Sequence, residues 1–462
     1  MNLIGEENLN MKPKSSRKSK LIKLTLTAFL SFQAIGFGIV ASASAESVIS
    51  LSINGVTQQG NAPVLKNGNI LISVNEFAAS IGATVEWDAT AKKITLTQGA
   101  RVIVLTIDSK SALINGKKAA LTQAPLWSSD QAWVPARFVS EALGSAISWD
   151  AATKTLSVQT QWNISSQNGK ASFINRFGEA AIAGSFEEAS EFQEGLAAVK
   201  SNGKFGFIDP SGKVIIEAKY DSVYDFNEGA ALAVQGGKYE YIDKKGSSVI
   251  QSVYQYQEAF DFSDDVALII SDDKFGYIDR TGKLIIPATF EDAFDFSEGL
   301  AVVQVDGAYG FIDKTGAVVI KPEFQAASPF VNGLSLVQVD GSFGFINPKG
   351  EFVIPADYEE AFPFSDGLAA VKMDGLTAYI DQTGKVILQT EYENAGDFSE
   401  GLATYEDENG NYGYINKKAE VVIEANYLEA DKFHNGLAPV SNGEVKIYID
   451  QTGTFIAIGP NA

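Results

Sequence analysis

The 462-residue sequence contains no cysteine and a single histidine, His434. The first absence excludes disulfides and thiol catalysis. The second excludes metal centres built on two or more imidazoles and leaves a nucleophile triad only one candidate base. Basic side chains are also scarce, with 36 Lys and Arg against 57 Asp and Glu, for a net charge of −21. Nucleic acid is recognised through a basic patch that displaces counterions, so this balance argues against nucleic-acid binding, and anionic membrane surfaces are disfavoured for the same reason. No Gly-rich phosphate loop occurs. What is present is a hydrophobic fraction of 45%, with 29 Phe and 16 Tyr, enough for a globular chain despite the charge. At roughly 100 to 200 residues per domain, the length corresponds to two to four domains.

Residues 1–45 read as a secretory signal peptide. Six basic residues from Lys12 to Lys23 precede an uncharged apolar run from Leu24 to Val40, and Ala43-Ser44-Ala45 supplies a small-x-small cleavage site. An uncleaved membrane anchor is the alternative. After cleavage no segment is apolar enough to span a bilayer. A secreted chain without cysteine fits a Gram-positive-type bacterium, either released or associated with the wall.

Residues 46–162 contain one pattern twice, offset by about 61 to 62 positions. Ile53-Asn54-Gly55 recurs as Ile114-Asn115-Gly116, and Gly82 to Trp87-Asp88 recurs as Gly144 to Trp149-Asp150. The Asn-Gly pairs predict hairpin turns. Pro135 to Gly144 predicts a short amphipathic helix with Pro at its start and Gly past its end, and Asn75 is the expected cap of its counterpart. The result is a small α+β domain. The run from Val134-Pro135-Ala136-Arg137-Phe138 to Gly144, followed by Trp149-Asp150, resembles the copper amine oxidase N-terminal-like domain. In those oxidases the module is a stalk that carries neither copper nor quinone, and their chemistry needs three His ligands, so the resemblance implies no oxidase activity here. The tryptophans Trp87, Trp127, Trp133, Trp149 and Trp162 are expected to pack in cores or turns, with sugar stacking as the sharper alternative.

Residues 163–462 repeat a unit of about 34 residues, and Ile-Asp or Ile-Asn marks nine copies, at Ile174, Ile208, Ile242, Ile278, Ile312, Ile346, Ile380, Ile415 and Ile449. In the copy from Gly299, the strand Leu300 to Val305, the turn pair Asp306-Gly307, the strand Ala308 to Ile312, the turn Asp313 to Gly316 and a third strand from Ala317 make a three-stranded meander. The linking segment carries two aromatic residues, as in Phe290 and Phe296, placed to stack between successive sheets. A unit this short is below the roughly 40 residues a core needs, so burial has to come from its neighbours. The units resemble WG repeats, in which an aromatic-Gly pair precedes the Ile-Asp, as in Phe205-Gly206 and Tyr309-Gly310. Ser172, Glu240, Ala378 and Ile447 depart at the Gly position. The resemblance implies a repeat module with no shared catalysis.

The expected fold class is therefore mainly β, with a small α+β N-terminal domain ahead of an open, β-solenoid-like array of about nine three-stranded repeats. A closed propeller-like ring is the alternative. No catalytic, cofactor-binding or metal-ligating residues are assigned, and no cofactor is expected. The recurring Asp before the second turn is expected to bond its own turn, since Asn replaces it at 175, 347 and 416. Acidic clusters such as Asp264-Asp265 and Glu406-Asp407-Glu408 read as solvated faces, with weak calcium binding as the alternative. His434 reads as a tolerated surface residue. The resulting expectation is a secreted, non-catalytic envelope protein whose array binds an envelope or extracellular protein or glycan; the rivals are an acid/base glycoside hydrolase and a structural spacer. Charge divides the two modules. Residues 46–162 carry nine basic and eight acidic side chains, whereas 163–462 carry 21 basic against 47 acidic. That makes the stalk the expected contact with an anionic wall.

Overall fold

The computed structural model describes residues 49–458, except 168, 183, 251–255 and 444. The signal segment at 1–45 lies outside the described residues. Residues 47–462 form one compact unit. Among the described residues, no helix is long and apolar enough to cross a membrane.

In the N-terminal domain the two copies are interwoven. Ser50–Ile53 of the first copy pairs in parallel with Thr155–Gln159 of the second, and Asn69–Ser73 pairs antiparallel with Gln131–Pro135. A third, five-stranded sheet runs from Thr84–Asp88 through Lys93–Gln98 and Arg101–Thr106 to the hairpin Ser111–Ile114 and Lys117–Ala120. Both Asn-Gly pairs turn with positive φ, at 50° and 79° for Asn54 and Gly55. The helices span Val74–Ser80 and Ala136–Ala142, and each is followed by a left-handed Gly, Gly82 or Gly144. The expected cap at Asn75 falls inside the first helix. Ser73 stands at the cap position instead and makes no side-chain capping bond. One core, including Ile72, Phe77, Leu105, Val134 and Val139, draws on both copies.

The array consists of the hairpin Trp162–Gln167 and Lys170–Asn175 followed by eight sheets. The expected meander is present in each, and in most the linking segment adds a short strand at one edge, for example Asp292–Ala293 beside Leu300–Val305. The turn pairs at 202–203, 236–237, 306–307, 340–341 and 374–375 have positive φ at both residues, as with Asp306 at 50° and Gly307 at 79°, whereas at Asn409-Gly410 and Asn442-Gly443 only the glycine does. Each unit keeps its own sheet. Among the described residues no backbone ladder joins one sheet to the next or the last to the first, so the array is a succession of separate small sheets. Burial is shared instead: the cluster around Phe311 combines Val302 and Ile320 of one unit with Phe330, Val337 and Ile346 of the next.

The glycine of the aromatic-Gly pair has a steric cause. A Cβ on Gly310 would lie 2.6 Å from Pro322 N and 2.7 Å from Ile320 O, because the third strand crosses directly over it at a register shift. Gly206, Gly276, Gly344 and Gly413 are crossed in the same way, and all five belong to units whose third strand has seven residues. Where Ala378 replaces Gly, the third strand is only Val386–Gln389 and leaves the sheet after Gln389 pairs with Ala378. The departure in sequence is thus matched by a shortened strand.

The first and last units touch through side chains. Asn435 Nδ2 donates to Trp162 O at 2.9 Å, Tyr448 Oη donates to Ile164 O at 3.1 Å, and Leu437 packs with Ile174 and Ala180. The stalk is joined to the first unit by Arg101. Its guanidinium donates twice to Glu179, at 2.9 and 3.0 Å, and lies 3.7 Å from the centre of the Phe177 ring.

Candidate functional surfaces

The carboxylates that most resemble catalytic or metal-binding groups are used by the backbone. Asp313 Oδ1 accepts from Thr315 N at 2.8 Å and from Ala317 N at 3.1 Å, and Asn347 and Asn416 accept the equivalent pairs. The turn-forming role expected from Asp/Asn exchange is therefore present in the structure. Hydrogen bonds from Thr315 hold the Asp313 carboxyl below the ordinary aspartate range.

A second set of acidic residues links neighbouring units, and the sequence reading missed it. In the Ser-Glu-Gly turn, Glu298 and Gly299 both have positive φ, and Glu298 Oε2 accepts Gly333 N of the next unit at 2.9 Å. Glu194, Asp264, Asp366 and Glu400 accept Gly229, Gly299, Gly401 and Gly436 N in the same way, at 2.7 to 2.9 Å. Ser263, Ser297, Ser365 and Ser399 hydroxyls donate across the same boundary to Phe carbonyls. Lys244 and Lys417 then neutralise Glu194 and Asp366, at 3.2 and 3.1 Å. Part of the acid cluster at Asp264-Asp265 belongs to this clasp, since their backbone N–H groups donate to Glu228. At the contact between last and first units the position is Asn435. The group facing it there is the Trp162 carbonyl, which needs a donor and not a carboxylate. The signal that could have revealed the clasp is a left-handed-tolerant Glu, Asp or Asn before Gly at every repeat.

The second aromatic of each linking segment lies between sheets, but its ring partner is not the first one, as expected for Phe290 and Phe296; it is an aromatic residue of the preceding unit's second strand. Ring centroids are 4.6 to 4.9 Å apart for Phe207–Phe226, Tyr277–Phe296, Phe311–Phe330 and Tyr379–Phe398. Where the first ring is Tyr277 or Tyr414, its buried hydroxyl donates to a carbonyl of the next unit at 2.7 Å. His434 is half exposed, yet it is tied: its Nε2 lies 3.0 Å from Glu191, between the strands Glu188–Ala189 and Ala197–Ser201 near the start of the array, and that hydrogen bond raises its pKa. It is therefore a contact between the array's ends, which the reading as a tolerated surface residue did not foresee.

Three features remain unclaimed by the framework. A cleft of about 580 Å³ lies where Arg176 and Phe177 of the first unit meet Asp450, Gln451 and Thr452 of the last. Its acidic groups are already engaged, Glu400 by Gly436 N and Gln451, and Asp450 by Thr452 N and Thr454 N. The third strand of most sheets, at one edge, exposes a large apolar side chain at one repeated place, which Ser248 fills in the sheet ending at Ser248–Ile250. Val214, Leu284, Val318, Phe352, Val386 and Val421 are 38 to 55% exposed. In the stalk, Trp133 and Trp162 are buried as expected, but Trp87, Trp127 and Trp149 are 39, 44 and 41% exposed. Trp87 and Trp127 stack on each other, with centroids 4.6 Å apart and planes 24° from parallel. Among the described residues, no group of three or more His, Asp or Glu side chains is placed to hold a metal ion.

Residues 52–158 match the copper amine oxidase N-terminal domain family, and eight consecutive segments between 172 and 444 match the WG containing repeat family. The sequence analysis marks one further copy at the C-terminal end, around Ile449. Neither family is catalytic by description. No curated protein matches the chain. Among solved structures, the chain is similar at 12% identity to a eukaryotic initiation factor, with 65% of this chain and 95% of that one covered and a TM-score of 0.48. A computationally designed protein, Ika8, is 13% identical over 59% of this chain and 97% of its own, with a TM-score of 0.35. BamB from Moraxella catarrhalis is 11% identical over 55% and 93%, also with a TM-score of 0.35. The repeat matches span more than half of the sequence, and the chain belongs to the WG-repeat family, with a copper amine oxidase N-terminal domain preceding its array.

Proposed function

We propose that this is a secreted, non-catalytic protein of a Gram-positive-type cell envelope, and that its array is a repeating surface for an envelope or extracellular partner. The observation that carries the reading is the exposed apolar row on the third strands. Side chains such as Val318 and Phe352 recur in most units at a sheet edge, whereas the acidic and aromatic residues that could serve chemistry are consumed in turns, clasps and ring pairs. Apolar side chains exposed at the same place in most repeats form a row of the kind that an interaction partner covers. The row lies in a module with 47 acidic residues, which favours a protein partner carrying basic and aliphatic groups over an anionic glycan.

The test uses the chain from Glu46 onward. Its binding to purified wall material and to a set of surface proteins is measured beside the Val318→Ser/Phe352→Ser double variant, and glycoside turnover is assayed in parallel. The expected outcome is saturable binding to a protein partner, weakened about tenfold or more in the double variant, with no turnover. Turnover abolished by mutating one defined acidic pair would contradict the reading in favour of a hydrolase. Complete absence of binding would favour a spacer.

A further inference from the structure

We infer that the stacked Trp87–Trp127 pair is a binding platform for pyranose rings, so that the stalk grips an envelope glycan while the array faces a protein. This deepens the proposed envelope function and rests on it. The two indoles come from different copies and different sheets: Trp87 lies in Thr84–Asp88, and Trp127 lies in Leu126–Ser128, the outermost strand of its sheet. They meet at the surface with centroids 4.6 Å apart, and each keeps about two fifths of its area in water.

A tryptophan needed only for packing is expected to be buried, and Trp133 and Trp162 in the same region are 7 and 6% exposed. The domain's duplication repeats the exposed tryptophan, though not the stacked pair. Trp149 occupies in the second copy the place of Trp87 in the first, each paired across its sheet with a buried aliphatic residue, Leu156 or Ile94, and Trp149 too is exposed.

A flat, polarisable face with a single N–H at its rim suits a ligand that is apolar on one side and hydrogen-bonding at its edge. A pyranose has that character: axial C–H groups cover its face and hydroxyls ring its perimeter. Charge favours a glycan here and not on the array. The stalk carries nine basic and eight acidic side chains, so it does not repel an anionic or neutral wall polymer as the array does.

The experiment titrates the chain from Glu46 onward with a soluble β-1,4-linked N-acetylglucosamine hexamer. It then measures co-sedimentation with wall sacculi that retain teichoic acid and with sacculi stripped of it. Trp87→Ala, Trp127→Ala and Trp127→Phe are compared with the parent, and thermal unfolding is recorded for each. The expected result is a change in tryptophan fluorescence on titration and binding weakened about tenfold or more by either alanine variant. Trp127→Phe, which keeps a ring, should lie between, at an unchanged unfolding temperature. Stripped sacculi binding as well as intact ones would assign the glycan strand itself; loss on stripping would assign the secondary polymer. Binding to sacculi that is the same for the parent and Trp127→Phe, with no fluorescence change on titration, would overturn the platform and leave the envelope reading intact. No binding to any of the three probes would overturn the platform and remove the wall contact from the envelope reading.

Discussion

The stalk and the array are both products of internal duplication, and they use it in opposite ways. In the stalk the copies exchange strands: Ser50–Ile53 pairs with Thr155–Gln159, Asn69–Ser73 pairs with Gln131–Pro135, and a single core results. In the array each copy retains its own sheet and gives its neighbours only side chains, through ring pairs, carboxylate clasps and small shared cores. Interwoven copies cannot open separately, because removing one unpairs the other. Each stacked copy meets only the units beside it, the last also touching the first through side chains, so stability is approximately a sum of unit and interface terms.

The largest expected effects come from emptying equivalent core positions. Phe77→Ala and Phe311→Ala should each cost about 3 to 5 kcal/mol. They should differ in extent: hydrogen exchange is expected to rise throughout 49–160 for the first, but only in the two sheets beside residue 311 for the second. The junction comes next. Arg101→Met removes the charged partner of Glu179 in a partly buried site where Asn115 and Asn175 remain as donors, and a loss of about 1 to 3 kcal/mol is expected in chemical denaturation.

Backbone crossings give a finer contrast within the array. Gly310→Ala should cost about 1 to 3 kcal/mol, because the new methyl meets the Pro322 and Ile320 backbone, whereas Ala378→Gly, at the same repeat position under a shortened strand, should cost about 0.5 to 1 kcal/mol. Thermal melts of the two variants decide it. The smallest effect is electrostatic. The folded-state pKa of Asp279, Asp313 and Asp381 is lowered, chiefly by hydrogen bonds from Thr281, Thr315 and Thr383. Their contribution is full above the ordinary aspartate value of 3.8 and is lost as pH falls through the lowered folded values. Denaturant midpoints should therefore fall below about pH 4, and replacing the three with Asn should flatten that fall.

What could be read in the sequence was what is decided locally. The Asp306-Gly307 hairpin, the Asp313 turn and the helix ending at Gly144 depend on residues a few positions apart, so composition suffices. The linking aromatics were legible as residues between sheets, but their partners were not: Phe296 packs on Tyr277 of the preceding unit and not on Phe290. The clasp from Glu298 to Gly333 was not, since a solvated Ser-Glu-Gly turn and one that grips its neighbour have the same sequence. His434 was misread for a related reason: its partner, Glu191, lies near the start of the array. The exposure of Trp87 and Trp127 was equally invisible, because it follows from how two copies interlock.

The most direct measurement is hydrogen exchange by mass spectrometry along a denaturant series on the chain from Glu46 onward. If the stalk is interwoven and the array stacked, peptides from both stalk copies will open together at one free energy, while the array's sheets open in steps confined to neighbouring units. Separate opening of the two stalk copies, or one cooperative step spanning the whole array, would contradict this account.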